Sequence, residues 1–322
     1  MRPVGAGGAI RWLAMVDSCP LCDAPPNEEQ THTREMMFGL RHTFTYRRCS
    51  RCGSLWLSEI PMHLALYYGD GYYSMAPPVV ASKGPVAKYW ARTLLKLPPF
   101  LVDRVAGKRG FPEYLQWFLG LNVSLSSRIA DVGSGEGGLA IRMATHGFAD
   151  VWGFDPFIPA DRDHGNAHIR RTGVDQAEGC FDVIMFNHSL EHFPHPVQAL
   201  RDAKSKLAAD GAILVRVPLA GTFADRHYGE NWVALDPPRH LSVPSRQGMQ
   251  LAAAASGLEI TRVFFDSSPL QIWASEQYRQ DIPLIDEQRG LGRKVSREMR
   301  RRTCELNRCE DGDSAGFVMR AK

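Results

Sequence analysis

The 322-residue chain has no run of 18 or more apolar residues, which excludes a membrane-spanning helix. It has no charge excess of either sign: 38 basic against 35 acidic side chains leave +3. A polyanion-binding surface is therefore not demanded, and a nucleic-acid partner is disfavoured. Internal repeats and low-complexity tracts are absent, so neither an array nor a biased tail is indicated. An export signal is also wanting, because the first residues carry Arg2 but only a weak, glycine-interrupted apolar stretch. Met15 is an alternative start, since patterned sequence follows directly after it. A reducing cytoplasm is then the expected compartment, and the seven cysteines are expected to be thiols or metal ligands.

What is present is an ordinary globular composition, 44% hydrophobic and 23% charged. The length suits one large domain with a smaller companion. Four cysteines fall in two tight pairs, Cys19-x2-Cys22 and Cys49-x2-Cys52, with 26 residues between the pairs. Four thiolates from two turns satisfy the tetrahedral preference of Zn²⁺, and metal binding supplements a core too small to fold alone. Such a closed site is structural. Cys304 and Cys309 have neither that spacing nor a partner pair, and they read as free thiols.

From residue 128 the texture changes to alternating strands and helices. Strands are expected at 128–132, 150–155, 168–172, 181–186, 212–217 and 259–264, with a seventh in the last residues. The run Phe181-Asp-Val-Ile-Met-Phe186 is nearly continuous in apolar residues, as a strand covered on both faces requires. Helices are expected at 197–207 and at 245–256, the second stopped by Gly257. The pattern predicts an α/β fold with a doubly wound, mostly parallel, seven-stranded sheet.

The first strand runs into Asp131-Val-Gly133-Ser134-Gly135-Glu-Gly137-Gly138. Glycines at a strand-to-helix turn let backbone approach a ligand and leave helix N–H groups free. The same residues fit the dinucleotide pattern G-x-G-x-x-G, which alone is weak. Two carboxylates refine it. Asp131 would oppose a pyrophosphate but suits a cationic ligand such as S-adenosylmethionine, with its ammonium and sulfonium. Asp155 ends the second strand about 20 residues on, where a carboxylate accepts from a ribose diol.

Read in order, these segments and Ser189-Leu-Glu191-His192-Phe-Pro, Asp210-Gly-Ala-Ile-Leu-Val and Trp232-Val-Ala-Leu-Asp-Pro-Pro-Arg239-His240 resemble the class I S-adenosylmethionine-dependent methyltransferases. The resemblance covers about residues 121–322, and the last segment is similar to a bacterial small-molecule branch with a cysteine-rich N-terminal module. That branch is associated with polysaccharide and modified-sugar biosynthesis. The resemblance implies a flexible N-terminus (1–18), a zinc module (19–56) and an aromatic, helical linker and cap (57–120). A methyltransferase domain (121–322) follows, with a lid insertion at 267–308.

It further implies that Asp131, Gly133, Ser134, Gly135 and Gly137 hold the methionine portion, that Asp155 and Pro156 hold the adenosine, and that Asn187 lies beside the sulfonium. Asp175 is the nearest acid for the adenine amine. His192, with Glu191, is the candidate catalytic group beside the acceptor; the alternative is a helix-start histidine bonded to backbone. His227, Tyr228, Arg239 and His240 are candidates for the acceptor, Arg239 offering a bidentate fork to an anion or else a loop-anchoring ion pair. The expected acceptor is a small polar molecule such as a nucleotide-linked sugar, and the oligomeric state stays open. Two alternatives remain: a ribosomal RNA base methyltransferase with a zinc knuckle, and an NAD-dependent oxidoreductase, which Asp131 disfavours.

Overall fold

The computed structural model describes residues 12–68, 112–285 and 295–322, with positions 89 and 93. Tyr72, Tyr73, most of the expected linker and residues 286–294 of the expected lid lie outside the described residues. The N-terminal part supplies β1 (Trp12–Met15), β2 (Pro26–Arg34), β3 (Thr43–Cys49), β4 (Leu55–Leu57) and β5 (Glu59–Pro61). A single turn, α1 (Tyr114–Trp117), precedes the larger sheet. There follow β6 (Arg128–Val132), α2 (Gly138–Thr145), β7 (Asp150–Phe154), β8 (Arg162–His164), β9 (Ala167–Arg170) and β10 (Phe181–Asn187). The chain continues as α3 (Pro196–Ser205), β11 (Leu207–Pro218), α4 (Phe223–Tyr228), β12 (Ser242–Val243) and α5 (Arg246–Ala255). It ends with β13 (Leu258–Phe265), α6 (Leu270–Arg279), α7 (Arg297–Arg308) and β14 (Ser314–Ala321). None of these helices is long and apolar enough to cross a membrane.

The larger sheet has the order β13-β14-β11-β10-β6-β7-β9-β8. Its centre is parallel, while β14 runs antiparallel between β11 and β13. Burial on both faces explains the apolar runs. Along β10, Val183 and Met185 join one core with α1 and α2, and Ile184 and Phe186 join the opposite core with α3 and α5. The sheet has eight strands, not the seven expected. The extra one, β8, is three polar residues paired antiparallel with β9 at the edge, where short polar strands discourage further pairing and leave no apolar signal. Strand order reverses around β6, so the carboxyl ends of β6 and β10 open together at the switch point, the place where open α/β sheets bind ligands.

The cysteine module packs directly on the catalytic half. Its sheet runs β12-β4-β3-β2, and β12 comes from the catalytic half, with Ser242 opposite Trp56 and Val243 opposite Leu55. The Leu57 N–H donates to Leu241 O at 2.9 Å, and Tyr46 Oη lies 2.5 Å from His240 O. Cys19, Cys49, Cys52 and Trp56 share one core with strands of the large sheet. Residues 12–15, expected within a flexible N-terminus, form a strand on β5, and Val16 O accepts the Trp56 indole N–H at 3.0 Å.

Arg239 locks the two parts together. Its side chain has no solvent exposure. The guanidinium donates to Glu35 Oε1 at 2.8 Å, to Tyr67 O at 2.9 Å and to Asp236 Oδ2 at 2.9 Å. Burial works against its charge, and Asp236 and Glu35 more than offset that cost. The assignment of Arg239 to acceptor binding is thereby corrected: no ligand reaches a fully enclosed guanidinium. Arg239→Ala should leave the Glu35 carboxylate buried without its cation, costing about 3–5 kcal/mol of stability. Urea unfolding monitored by tryptophan fluorescence measures this; a change below about 1 kcal/mol, the range of exposed ion pairs, would contradict the lock.

Candidate active site

Beyond β6 the chain turns through Gly133 at φ 72° and reaches Gly137 at φ 81°, which caps α2. Both conformations are left-handed, and both positions lack space. A Cβ on Gly133 would lie 2.6 Å from Ser189 Cβ, and one on Gly137 only 2.3 Å from Ile169 Cδ1. The loop therefore lies directly against the segment following β10, and Ser189 Oγ donates to Val132 O at 2.5 Å. The Gly135 N–H donates to Asp155 Oδ2 at 2.9 Å, and the Phe157 N–H to Asp155 Oδ1 at 2.9 Å. Each carboxylate oxygen of Asp155 thus accepts one bond from backbone and retains a lone pair.

Asp131 is 4% exposed at the end of β6, and no hydrogen bond reaches its carboxylate among the described residues. Burial pushes its pKa up, neighbouring Asp155 adds to this, and the value reaches about 7. A buried carboxyl so placed is poised for a cation.

A second cluster forms where the chain leaves β10. His188 takes a left-handed φ of 52°, and Leu190–His192 make one 3₁₀ turn. The main chain of Glu191 is fixed by Leu241, whose N–H donates to Glu191 O at 2.8 Å. This brings His240 into contact with the turn. Its ring centroid lies 4.9 Å from that of His192 at 68°. His192 Nδ1 lies 2.8 Å from Arg239 O, and His240 Nδ1 lies 2.8 Å from Ala234 O. A carbonyl oxygen only accepts, so each Nδ1 carries the proton and each Nε2 keeps its lone pair. The Tyr68 hydroxyl flanks His192 Nδ1 at 3.2 Å. Both Glu191 oxygens are buried without a hydrogen-bond partner among the described residues. Burial raises the Glu191 carboxyl, and His188, His240 and His192 together bring it below its ordinary value. Burial lowers the pKa of His240, and the neighbouring His192 lowers it further.

At the module, Cys19 Sγ and Cys52 Sγ are 3.7 Å apart, and Cys22 Sγ and Cys49 Sγ are 3.5 Å apart. A disulfide would need about 2.05 Å. The edge of a tetrahedron with Zn–S bonds of about 2.3 Å is about 3.8 Å, so the donor set fits zinc.

A family model described as a methyltransferase domain matches residues 87–263, more than half of the chain. The chain belongs to the methyltransferase domain family. No curated protein matches it in sequence. Solved structures similar to this methyltransferase-domain chain include an O-methyltransferase from neocarzinostatin biosynthesis bound to S-adenosyl-L-homocysteine. The two are 19% identical over 42% of this chain and 45% of that one, with TM-score 0.36. A mycolic acid cyclopropane synthase is 18% identical over 73% of this chain and 93% of that one, with TM-score 0.42. Magnesium protoporphyrin IX methyltransferase from Synechocystis PCC 6803 is 14% identical over 80% and 91%, with TM-score 0.39. This chain thus spans less than half of the first of these proteins, and nothing about its own substrate follows from any of them.

Within the methyltransferase domain, the fold brings Asp131, Gly133, Ser134, Gly135, Gly137 and Asp155 to one end of the sheet. Pro156 follows Asp155 on the surface. Asn187 ends β10, and its side-chain oxygen accepts from Arg216, which is held by Asp266 at 2.7 Å. Asp175 is exposed after β9. Glu191, His192 and His240 come together. His227 and Tyr228 sit on α4 against Phe223 and Arg279, and neither ring meets that cluster. Sequence reading missed Glu35 and Asp236 as partners of Arg239. Asp236, three residues before it, was a readable signal; Glu35, 204 residues away, was not.

The raised Asp131 value has a consequence for the ligand-free protein. Its stabilising effect is full below the unfolded carboxyl value and is lost as pH rises through about 7. Asp131→Asn should therefore stabilise the ligand-free protein by about 2–4 kcal/mol at pH 8, with little effect at pH 4. Thermal unfolding of both proteins across that range checks it; parallel stability curves would contradict the burial account.

Proposed function

We propose that the chain is an S-adenosylmethionine-dependent methyltransferase acting on a small polar acceptor. The observation that carries this reading is Asp131, a buried carboxyl without a donor among the described residues, at the strand end beside the glycine loop. An anionic pyrophosphate would be repelled there, whereas the α-ammonium of S-adenosylmethionine supplies the missing charge. Gly133, Ser134, Gly135 and Gly137 form the close backbone wall, and Asp155 with Pro156 receives the adenosine through the free lone pairs of that carboxylate. Asn187 stands at the end of the neighbouring strand, on the sulfonium side.

Methyl transfer is an in-line displacement in which the acceptor's lone pair attacks the methyl carbon as the carbon–sulfur bond breaks. Holding both partners in line supplies much of the acceleration. His192, with Glu191 buried beside it, faces the acceptor's attacking atom, because their turn follows β10 and Ser189 of that turn touches the glycine loop. With Arg239 enclosed, an anionic handle on the acceptor is not recognised there. An acceptor screen by product mass, with nucleotide sugars and structured RNA side by side, tests the substrate class. Methylation of a small molecule is expected; methylation of RNA alone would replace this reading with the RNA alternative.

We further infer that Cys19, Cys22, Cys49 and Cys52 hold one structural zinc. Burial pushes the Cys22 thiol up to about 11, a cost that a bound cation removes. Elemental analysis of protein purified without added metal should give about one zinc per chain, the stoichiometry of a four-cysteine site. Because the module shares β12 and a core with the catalytic half, chelation should lower the melting temperature of the whole protein. Retention of an unchanged melting curve after complete zinc removal would contradict that coupling.

A further inference from the structure

Glu191, His192 and His240 offer one donor atom each, and these atoms lie within 4.8 Å of one another. Three features of the cluster go beyond what a pair of packed histidines needs. First, Glu191 is 1% exposed, yet among the described residues neither of its oxygens has a hydrogen-bond partner. A buried carboxylate without donors is costly, and the histidines paired with it, His188 Nδ1 at 3.6 Å and His240 Nε2 at 3.9 Å, are too far to hydrogen-bond. Secondly, both imidazoles are fixed in one tautomer. Arg239 O and Ala234 O hold the Nδ1 protons, so that the Nε2 lone pairs are available. Metal-binding histidines are oriented in this way, the second nitrogen donating to a carbonyl or carboxylate. Thirdly, the backbone beside the cluster is held: Arg239 is locked by Glu35 and Asp236, and the Leu241 N–H donates to Glu191 O.

We propose that Glu191, His192 and His240 form a second metal site, separate from the four cysteines, that takes a first-row divalent cation and leaves coordination positions open to the acceptor. Two imidazoles and one carboxylate suit Mn²⁺, Fe²⁺, Co²⁺ or Zn²⁺ and are poorly matched to Ca²⁺. The cation supplies the charge that Glu191 lacks and draws the three donors inward from their present spacing. The acceptor role rests on the methyl-transfer reading above. An acceptor hydroxyl on an open position becomes more acidic and loses its proton to water. Its oxygen then forms the bond to the methyl carbon while the carbon–sulfur electron pair returns to sulfur, leaving a neutral thioether. His192 is then a ligand, not a base. The acceptor class becomes a hydroxyl-bearing molecule, and the product a methyl ether.

The test uses Mn²⁺, which thiolates bind weakly, on the full chain after mild chelation that leaves the cysteine zinc in place. Electron paramagnetic resonance should show one bound Mn²⁺ per wild-type chain. Glu191→Gln and His240→Gln should each weaken that binding about tenfold or more, with unchanged circular dichroism and zinc content. Should either variant fail to fold, Co²⁺ added to the wild type decides: visible d–d bands without a thiolate charge-transfer band are expected. Equal Mn²⁺ affinity in the wild type and the variants, or free Mn²⁺ and no cobalt bands with wild type, would overturn the site. S-adenosylmethionine calorimetry on the same samples separates the two readings. Absence of cofactor binding would remove the acceptor role while leaving the metal result to stand or fall alone.

Discussion

The contact between Gly133 and the turn after β10 fixes the geometry of everything that bears chemistry. Because Gly133 has no side chain, Ser189 packs against it and its hydroxyl reaches Val132 O at 2.5 Å. The carboxyl ends of β6 and β10 are thereby pinned together at the place where the strand order reverses. One strand end carries Asp131, the other leads to Glu191 and His192. A side chain at Gly133 would have to push these ends apart, since the nearest obstacle is a Cβ rather than a flexible tip. Asp131 and the Glu191–His192 turn are thus set by one backbone approach.

His240 reaches the same place from far along the chain, and what puts it there is the N-terminal module. β12 completes the module's small sheet, Tyr46 lies against the His240 carbonyl, and Arg239 is clasped by Glu35. The module accordingly has a positional role: it holds the segment that delivers one histidine to the site. The buried ion triad is poor evidence for net stability, since burial of charge is costly, but each charge within it makes loss of another expensive. Its effect is to specify one arrangement of the 236–243 segment. The four cysteines, the small sheet and His240 form a continuous chain of contacts.

Much of this was readable from the residues. The strand ends, the glycine turn and the two acids were marked by local pattern, since apolar runs and glycine spacing act over short distances. The helix capped by Ser245 was found to within a residue for the same reason. The edge strand β8 was missed because three polar residues, two of them exposed, carry no periodic signal. Arg239 stayed open between an acceptor fork and a loop-anchoring ion pair because its meaning depends on Glu35, which no local pattern links to it. His227 and Tyr228 had residue types suited to an acceptor, but α4 carries Tyr228 into the core shared with Trp232 and Trp273 and leaves His227 exposed against Phe223 and Arg279. Residue type named the candidates; only the long-range packing sorted ligand-facing groups from locks.

Titration calorimetry with S-adenosylmethionine and with NAD, repeated on Asp131→Asn, tests the central claim most directly. The account predicts S-adenosylmethionine binding that strengthens as pH rises towards about 7 and levels off above it, with proton release below that point as Asp131 ionises against the ligand's ammonium. It predicts no heat with NAD and a loss of the pH dependence in the variant. Binding of NAD without binding of S-adenosylmethionine, or cofactor affinity indifferent to both pH and Asp131→Asn, would contradict it.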